Sequence, residues 1–263
     1  MKKTLIALAV AASAAVSGSA MAAWVQNGSG GMMEFGGTLT PKDVITPWDV
    51  NVSSAAKGLD VEVDKGQKVI NFALPTSIPV LGIRVADPVG KSFPGAPGIS
   101  PQIDYNNAVD IGAFDQGKST LTLAVKDADG KHLGQFTAPF TAVAEAAQYD
   151  AVKDEGYKSS LMSKAAGDAF FGGLGTTDTA VSDAPHSLAK TLDPESVAHF
   201  DDFGVSVYYN VVTKTFSKPE LAYSGFYSAG IMPNENMRIT LDKPLASDAI
   251  VWSASMPITV SYQ

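Results

Sequence analysis

Strict alternation of apolar and polar positions marks both ends of the chain. Near the start, in "GGMMEFGGTLTPKD" (Gly30 to Asp43), Met33, Phe35 and Leu39 fall on one side of an extended backbone with Gly37 between them. Glu34, Gly36 and Thr38 fall on the other, so the segment reads as a strand with one face to bury. At the end, "VWSASMPITVSYQ" places Trp252, Ala254, Met256, Ile258, Val260 and Tyr262 on one face, with mostly small or polar residues between them. Short runs such as "DVNVSS", "LDVEVD", "KVINFAL", "STLTLAVK" and "GQFTAPF" also alternate, carry many β-branched residues and are separated by Gly, Pro, Asn and Asp. Runs at this spacing predict a mainly β fold, a sandwich or barrel. The clearest hairpin is Val125 to Lys131, where Asp129-Gly130 takes positive φ at little cost.

The two ends pose complementary problems. A strand that runs to the last residue has no following strand to cover its edge, and such an edge invites association unless something pairs with it. The leading strand follows "NGSGG", a flexible tether. Its apolar face therefore enters either its own domain, as a first strand, or the core of another molecule, and the pattern alone leaves both open. Gly36 and Gly37 weaken an ordinary strand interior but suit close backbone approach in a narrow groove.

The middle of the chain has another period. Between Ala142 and Gly172 the residues Tyr157, Leu161, Ala165 and Ala169 recur every four positions, with Met162, Ala166 and Phe170 beside them. This predicts a helical stripe closed by Gly172-Gly173. A second short helix is predicted at "DPESVAHF", with Asp193 as cap, Pro194 in the first turn and Glu195 at the positive end of the dipole. Strand pattern resumes at "GVSVYYNVVTKTF". The expected organisation is a β domain of residues 43–142 and 205–263 interrupted by a helical insertion, 143–204, with Asp87 to Gln102 as a long surface loop.

The first residues change the cellular setting. Two lysines, an apolar run from Leu5 to Val16 and then Ala20-Met21-Ala22 have the layout of a secretory signal peptide, expected as residues 1–22. The mature protein would begin at Ala23 or Trp24, with residues 23–42 as an N-terminal extension. Loss of Lys2 and Lys3 takes the formal charge from -8 to -10, which argues against nucleic acid or anionic lipid as partner. No cysteine is present, so stability rests on packing, hydrogen bonding or another chain.

Chemistry-bearing patterns are sparse. The three histidines, His132, His186 and His199, accompany no HExxH, GxSxG or phosphate loop, so no catalytic residue, metal or cofactor is expected. Asp127-x-Asp129-Gly130 is a fragment of a calcium loop without the remaining ligands. Asp201-Asp202 after His199 reads as a solvated helix end. The aromatics of "SVYYN" and "YSGFYSAG" read as core and cross-strand pairs before a sugar-stacking surface.

Several segments together resemble a known family. "MEFGGTLT", "SPQIDY", "KDADGKHLG", "AFFGGL" and "VWSASMPITVSY" occur in the order found in the FaeG-type (K88-like) subunits of chaperone–usher fimbriae, and they span nearly the whole mature chain. The resemblance implies an incomplete immunoglobulin-like β-sandwich lacking its last strand. It also implies a variable insertion that carries the carbohydrate-binding region in the major adhesive subunit. In the periplasm a chaperone would lend the missing strand; at the outer-membrane usher, the N-terminal extension of the next subunit would replace it. Met33, Phe35, Gly37 and Leu39 would then form the donor strand, and Trp252, Met256, Ile258, Val260 and Tyr262 the edge of the acceptor groove. The implied partners are the chaperone, the usher, neighbouring subunits and, for an adhesive member, a host glycan, with a place in the cell-surface fimbria. Two features depart from the commoner fimbrial pattern: Ile250 stands where many subunits have glycine, and cysteine is missing; the penultimate Tyr262 agrees. The alternative is a secreted monomeric carbohydrate-binding module whose sandwich is complete by itself.

Overall fold

The computed structural model describes residues 45–56, 58–246 and 249–263 and, nearer the N-terminus in sequence, residues 26, 33 and 35–38. The expected signal segment and Leu39 lie outside the described residues. The chain divides into two compact units, residues 1–42 and 43–263. In the first, residues 33 and 35–38 have no regular secondary structure, and Met33 and Phe35 are 75% and 87% exposed.

The second unit is mainly β. Its strands are β1 (Trp48–Val52), β2 (Val69–Phe72), β3 (Ile78–Val85), β4 (Phe93–Pro94), β5 (Pro101–Asp104), β6 (Lys118–Asp127) and β7 (His132–Asp150). After them come β8 (Glu155–Leu161), the helix α1 (Pro185–Leu192), β9 (Tyr208–Val212), β10 (Ala222–Ile231), β11 (Met237–Leu241), β12 (Trp252–Ala254) and β13 (Thr259–Tyr262).

The long β7 organises the sandwich because its two halves take different neighbours. Residues 132–141 pair with β6, and residues 134–137 pair with β11 on the other side, giving the order β12-β6-β7-β11-β2. Residues 141–149 pair with β10 and residues 145–150 with β8, giving β1-β3-β10-β7-β8-β9. The β6–β7 hairpin turns where the sequence places it: Gly130 has φ +81°, and Asp127 Oδ1 accepts from the backbone N–H of Asp129 and Lys131. That carboxylate holds the turn's backbone.

The even positions of β7, Phe136 to Ala146, enter the main core, and Val143 on the other face packs with Ala189 of α1 and Phe226. With both faces covered, the strand needs no alternation, and its alanines are small enough for close sheet-on-helix packing. The helical stripe expected across 142–172 is therefore corrected. Residues 142–150 and 155–161 are strand, and the four-residue recurrence from Tyr157 to Phe170 runs through β8 and the turns after it. Alanine-rich sequence favours helix only weakly, and pairing on both sides of β7 outweighs it. Gly172 is not a helix stop either. With φ +81° it passes under β5, where a Cβ would lie 2.1 Å from the Ile103 carbonyl oxygen.

Helix is confined to α1 and three short 3-10 turns among the described residues. The turn at Pro194–Val197 begins as expected, with Asp193 Oδ1 accepting from the Glu195 N–H at 3.0 Å. Because β8 and β9 run parallel, the chain between them must cross over, and α1 lies on that crossover. Two further expectations change. "LDVEVD" forms no ladder among the described residues, although Leu59 and Val63 pack against the core. The segment 87–102 is no plain surface loop: Phe93 and Ile99 are buried, and Trp48 Nε1 donates to the Ile99 carbonyl at 2.7 Å. Trp48 and Phe93 meet edge to face at 4.8 Å. "YSGFYSAG" supplies core aromatics: Tyr223, Phe226 and Tyr227 are buried, and the Tyr227 hydroxyl lies 2.6 Å from that of Tyr105.

Candidate functional site: a groove beside the last strand

The C-terminal segment alternates in space as it does in sequence. From Trp252 to Tyr262 every even residue is half-buried and every odd one exposed. Trp252, Met256, Ile258, Val260 and Tyr262 all touch the main core, and Trp252 stacks on Phe136 at 6.2 Å between ring centres. Among the described residues β12 pairs only with β6 (Trp252 opposite Asp127), and β13 only with β5 (Val260 opposite Ile103). The opposite edge of the segment has no strand beside it among the described residues.

A cleft of about 900 Å³ runs along this segment. Its far wall is the end of β1 and the unpaired stretch after it, including Val52 and Leu59, and its floor carries Val80, Leu121, Leu123, Phe136 and Ile231. A smaller cavity of about 470 Å³ shares Val61, Ile250 and Trp252 with it and reaches Ile70, Leu133 and Leu241. The two form one apolar trough between the sheets. The chain leaves the sheet edge at Ser53, whose N–H donates to the Val80 carbonyl at 3.1 Å, and among the described residues no ladder continues the wall.

The five predicted edge residues are therefore gathered on one face of one segment. Of the predicted donor residues, Met33 and Phe35 are exposed, and a Cβ added at Gly37 would meet nothing within 4 Å. Sequence reasoning missed the far wall and the floor. The "LDVEVD" alternation was the available signal, read as a paired strand rather than as a lining.

The polar groups weighed in the sequence are engaged separately. His199 Nδ1 donates to the Val85 carbonyl at 2.6 Å, Asp201 Oδ1 accepts from Phe203 N–H, and Asp202 pairs with Lys158 at 2.8 Å. His132 Nε2 lies 3.5 Å from Asp242 Oδ2.

Comparison with known proteins adds the context for such a trough. A family model described as fimbrial, major and minor subunit, matches residues 1–263. The F41 fimbrial protein of Escherichia coli is 28% identical over 281 residues, K88 fimbrial protein AD of the same organism 26% over 289, and K88 fimbrial protein AB 25% over 288. Each alignment covers 100% of both chains. Fimbrial proteins of this kind are structural components of exported surface fibres that associate with one another. The chain belongs to the family of fimbrial major and minor subunits.

Proposed function

We propose that the trough accepts an extended strand from another chain, and that the subunit polymerises into a fimbria by passing its own N-terminal extension to the next subunit. The observation that carries this reading is the last segment: an apolar face half-covered, with no strand beside its outer edge among the described residues. Strand addition supplies both missing parts, because main-chain hydrogen bonds satisfy the edge and alternate side chains fill the cleft. Met33, Phe35 and Leu39 are the apolar side chains of the donor, with Gly37 at the position where the backbones come closest. Burying each large side chain contributes about 1.5–3 kcal/mol before ordering costs, and each main-chain bond about 0.5–1.5 kcal/mol.

Residues 23–42 then act as the donor extension, residues 1–22 as the export signal, and residues 43–161 with 208–263 as the sandwich around the crossover of 162–207. In the periplasm a chaperone strand occupies the trough until the usher delivers the next subunit, and the finished fibre serves host attachment. Removal of residues 23–40 tests the proposal. The shortened chain is expected to co-purify with its periplasmic chaperone yet to form no polymer on sedimentation. Polymer from that deletion would overturn the reading, as would a full mature chain that sediments as a stable monomer without any helper.

A further inference from the structure

A second cleft, of about 640 Å³, opens between β7, β8, β9, the start of α1 and the turn at 201–202. At its base lies Glu145 of β7, only 4% exposed. Its backbone is flanked by Ser160 of β8 and Phe226 of β10 in the sheet. Among the described residues nothing donates a hydrogen bond to this carboxylate. Lys158, the nearest cation to influence it, is committed to Asp202 instead, at 2.8 Å. The Glu145 oxygens are not sealed in, since the fully buried unpartnered side-chain atoms among the described residues are Ser159 Oγ and Ser163 Oγ, so the carboxylate faces the cleft; burial still makes the ionised form costly. Burial accordingly pushes the Glu145 carboxyl up to about 7, with Lys158 opposing the shift and Asp202 adding to it.

The surroundings define what would satisfy it. What the described residues themselves do not supply is a hydrogen-bond donor, and an ionised carboxylate only accepts. Asp183, Asp201 and Asp202 line the cleft against the single lysine, so the local field favours a positive charge. No group of three or more ligating side chains among the described residues is arranged for a metal ion. Phe200 and Tyr208 offer ring surfaces on the same cleft, apolar faces against which an alkyl stem can pack, so the cation is an organic one. The remaining titratable neighbour is His186 of α1, held below its ordinary value first by burial and then by Lys190 and Lys158.

We propose that this cleft binds a primary alkylammonium group, whose N–H bonds are accepted by Glu145 and whose alkyl stem lies against Phe200 and Tyr208. This is independent of strand exchange, because none of these residues lines the trough.

Ligand-observed saturation-transfer NMR on the full chain tests it, with n-butylammonium as probe. Butylammonium is expected to bind, n-butanol of the same length to bind at least tenfold more weakly, and tetramethylammonium, which has no N–H, to fall between. From pH 6 to pH 8 the affinity for butylammonium should rise about ninefold, as a carboxyl titrating near 7 goes from about one-tenth to nine-tenths ionised. Glu145→Gln should abolish that pH dependence and weaken binding at least tenfold. Its thermal midpoint, measured alongside, separates lost binding from lost fold, and the pH profile of the unaltered chain stands without any variant. A free amine and a lysine side chain of another protein share this chemistry. Binding of butylammonium alone indicates the first, and equal binding of Nα-acetyl-lysine methylamide the second. No transfer from butylammonium, equal binding of butanol, or an affinity flat with pH would overturn the proposal.

Discussion

β10 and the C-terminal segment are both apolar strands of one sandwich, and they end in opposite states. β10 lies between β3 and β7, and Tyr223, Tyr227, Ala229 and Ile231 point into the main core. Its other face is roofed by the segment around α1: Phe226 packs with Val143 and Ala189, the Ser224 hydroxyl accepts from the Asp201 N–H, and Ser196 donates to Ser228. Nothing of β10 after Ala222 is open. Among the described residues the last segment has β6 beside residues 252–254, β5 beside residues 259–262, no paired strand along 255–258, and one half-covered face. Apolar content does not separate the two; the difference lies in how many sides the rest of the chain encloses.

This contrast can be broken by measurement. The largest effect is expected at the closed strand. Phe226→Ala removes a fully buried ring that meets Phe200 edge to face at 5.2 Å, and should cost about 3–5 kcal/mol in urea unfolding. The loss should be the same with or without a peptide in the trough. Next comes the open segment: a peptide spanning residues 30–42, at a hundredfold over its Kd, should stabilise a chain lacking its own extension by about 2.7 kcal/mol. The same peptide with Phe35→Asp should give no measurable stabilisation, because a charge would enter an apolar cleft. Equal protection by both peptides would erase the contrast. Ile258→Ala in the empty trough should cost less than the roughly 2–5 kcal/mol of a fully enclosed isoleucine, and more once the peptide is bound, a difference visible as coupling between variant and ligand. Smallest is Asp193→Ala, which removes the cap of the 3-10 turn beside α1 and should cost about 1 kcal/mol whatever fills the trough.

The same contrast explains what could be read in advance. Where one face is covered and the other wet, the sequence alternates, so the last segment and the runs "DVNVSS", "KVINFAL", "STLTLAVK" and "GQFTAPF" were legible, while Asp129-Gly130 marked the β6–β7 turn. Where both faces are covered, alternation disappears, and Ala142 to Ala147 looked helical because alanine fits either structure. Helix α1 carried no side-chain cap at Ala184 and spans only Pro185–Leu192, too short for a periodic stripe to declare itself. The trough was half legible. Its C-terminal edge announced itself through Trp252, Met256, Ile258, Val260 and Tyr262. The opposite wall did not, because Leu59, Val61 and Val63 alternate like a strand without a partner strand among the described residues.

β7 has a thermodynamic consequence of its own. Since residues 132–141 serve one layer and 141–150 the other, neither layer can melt while the other keeps its register. Calorimetry on residues 43–263, once the trough is occupied, should therefore record a single endotherm whose van't Hoff and calorimetric enthalpies agree.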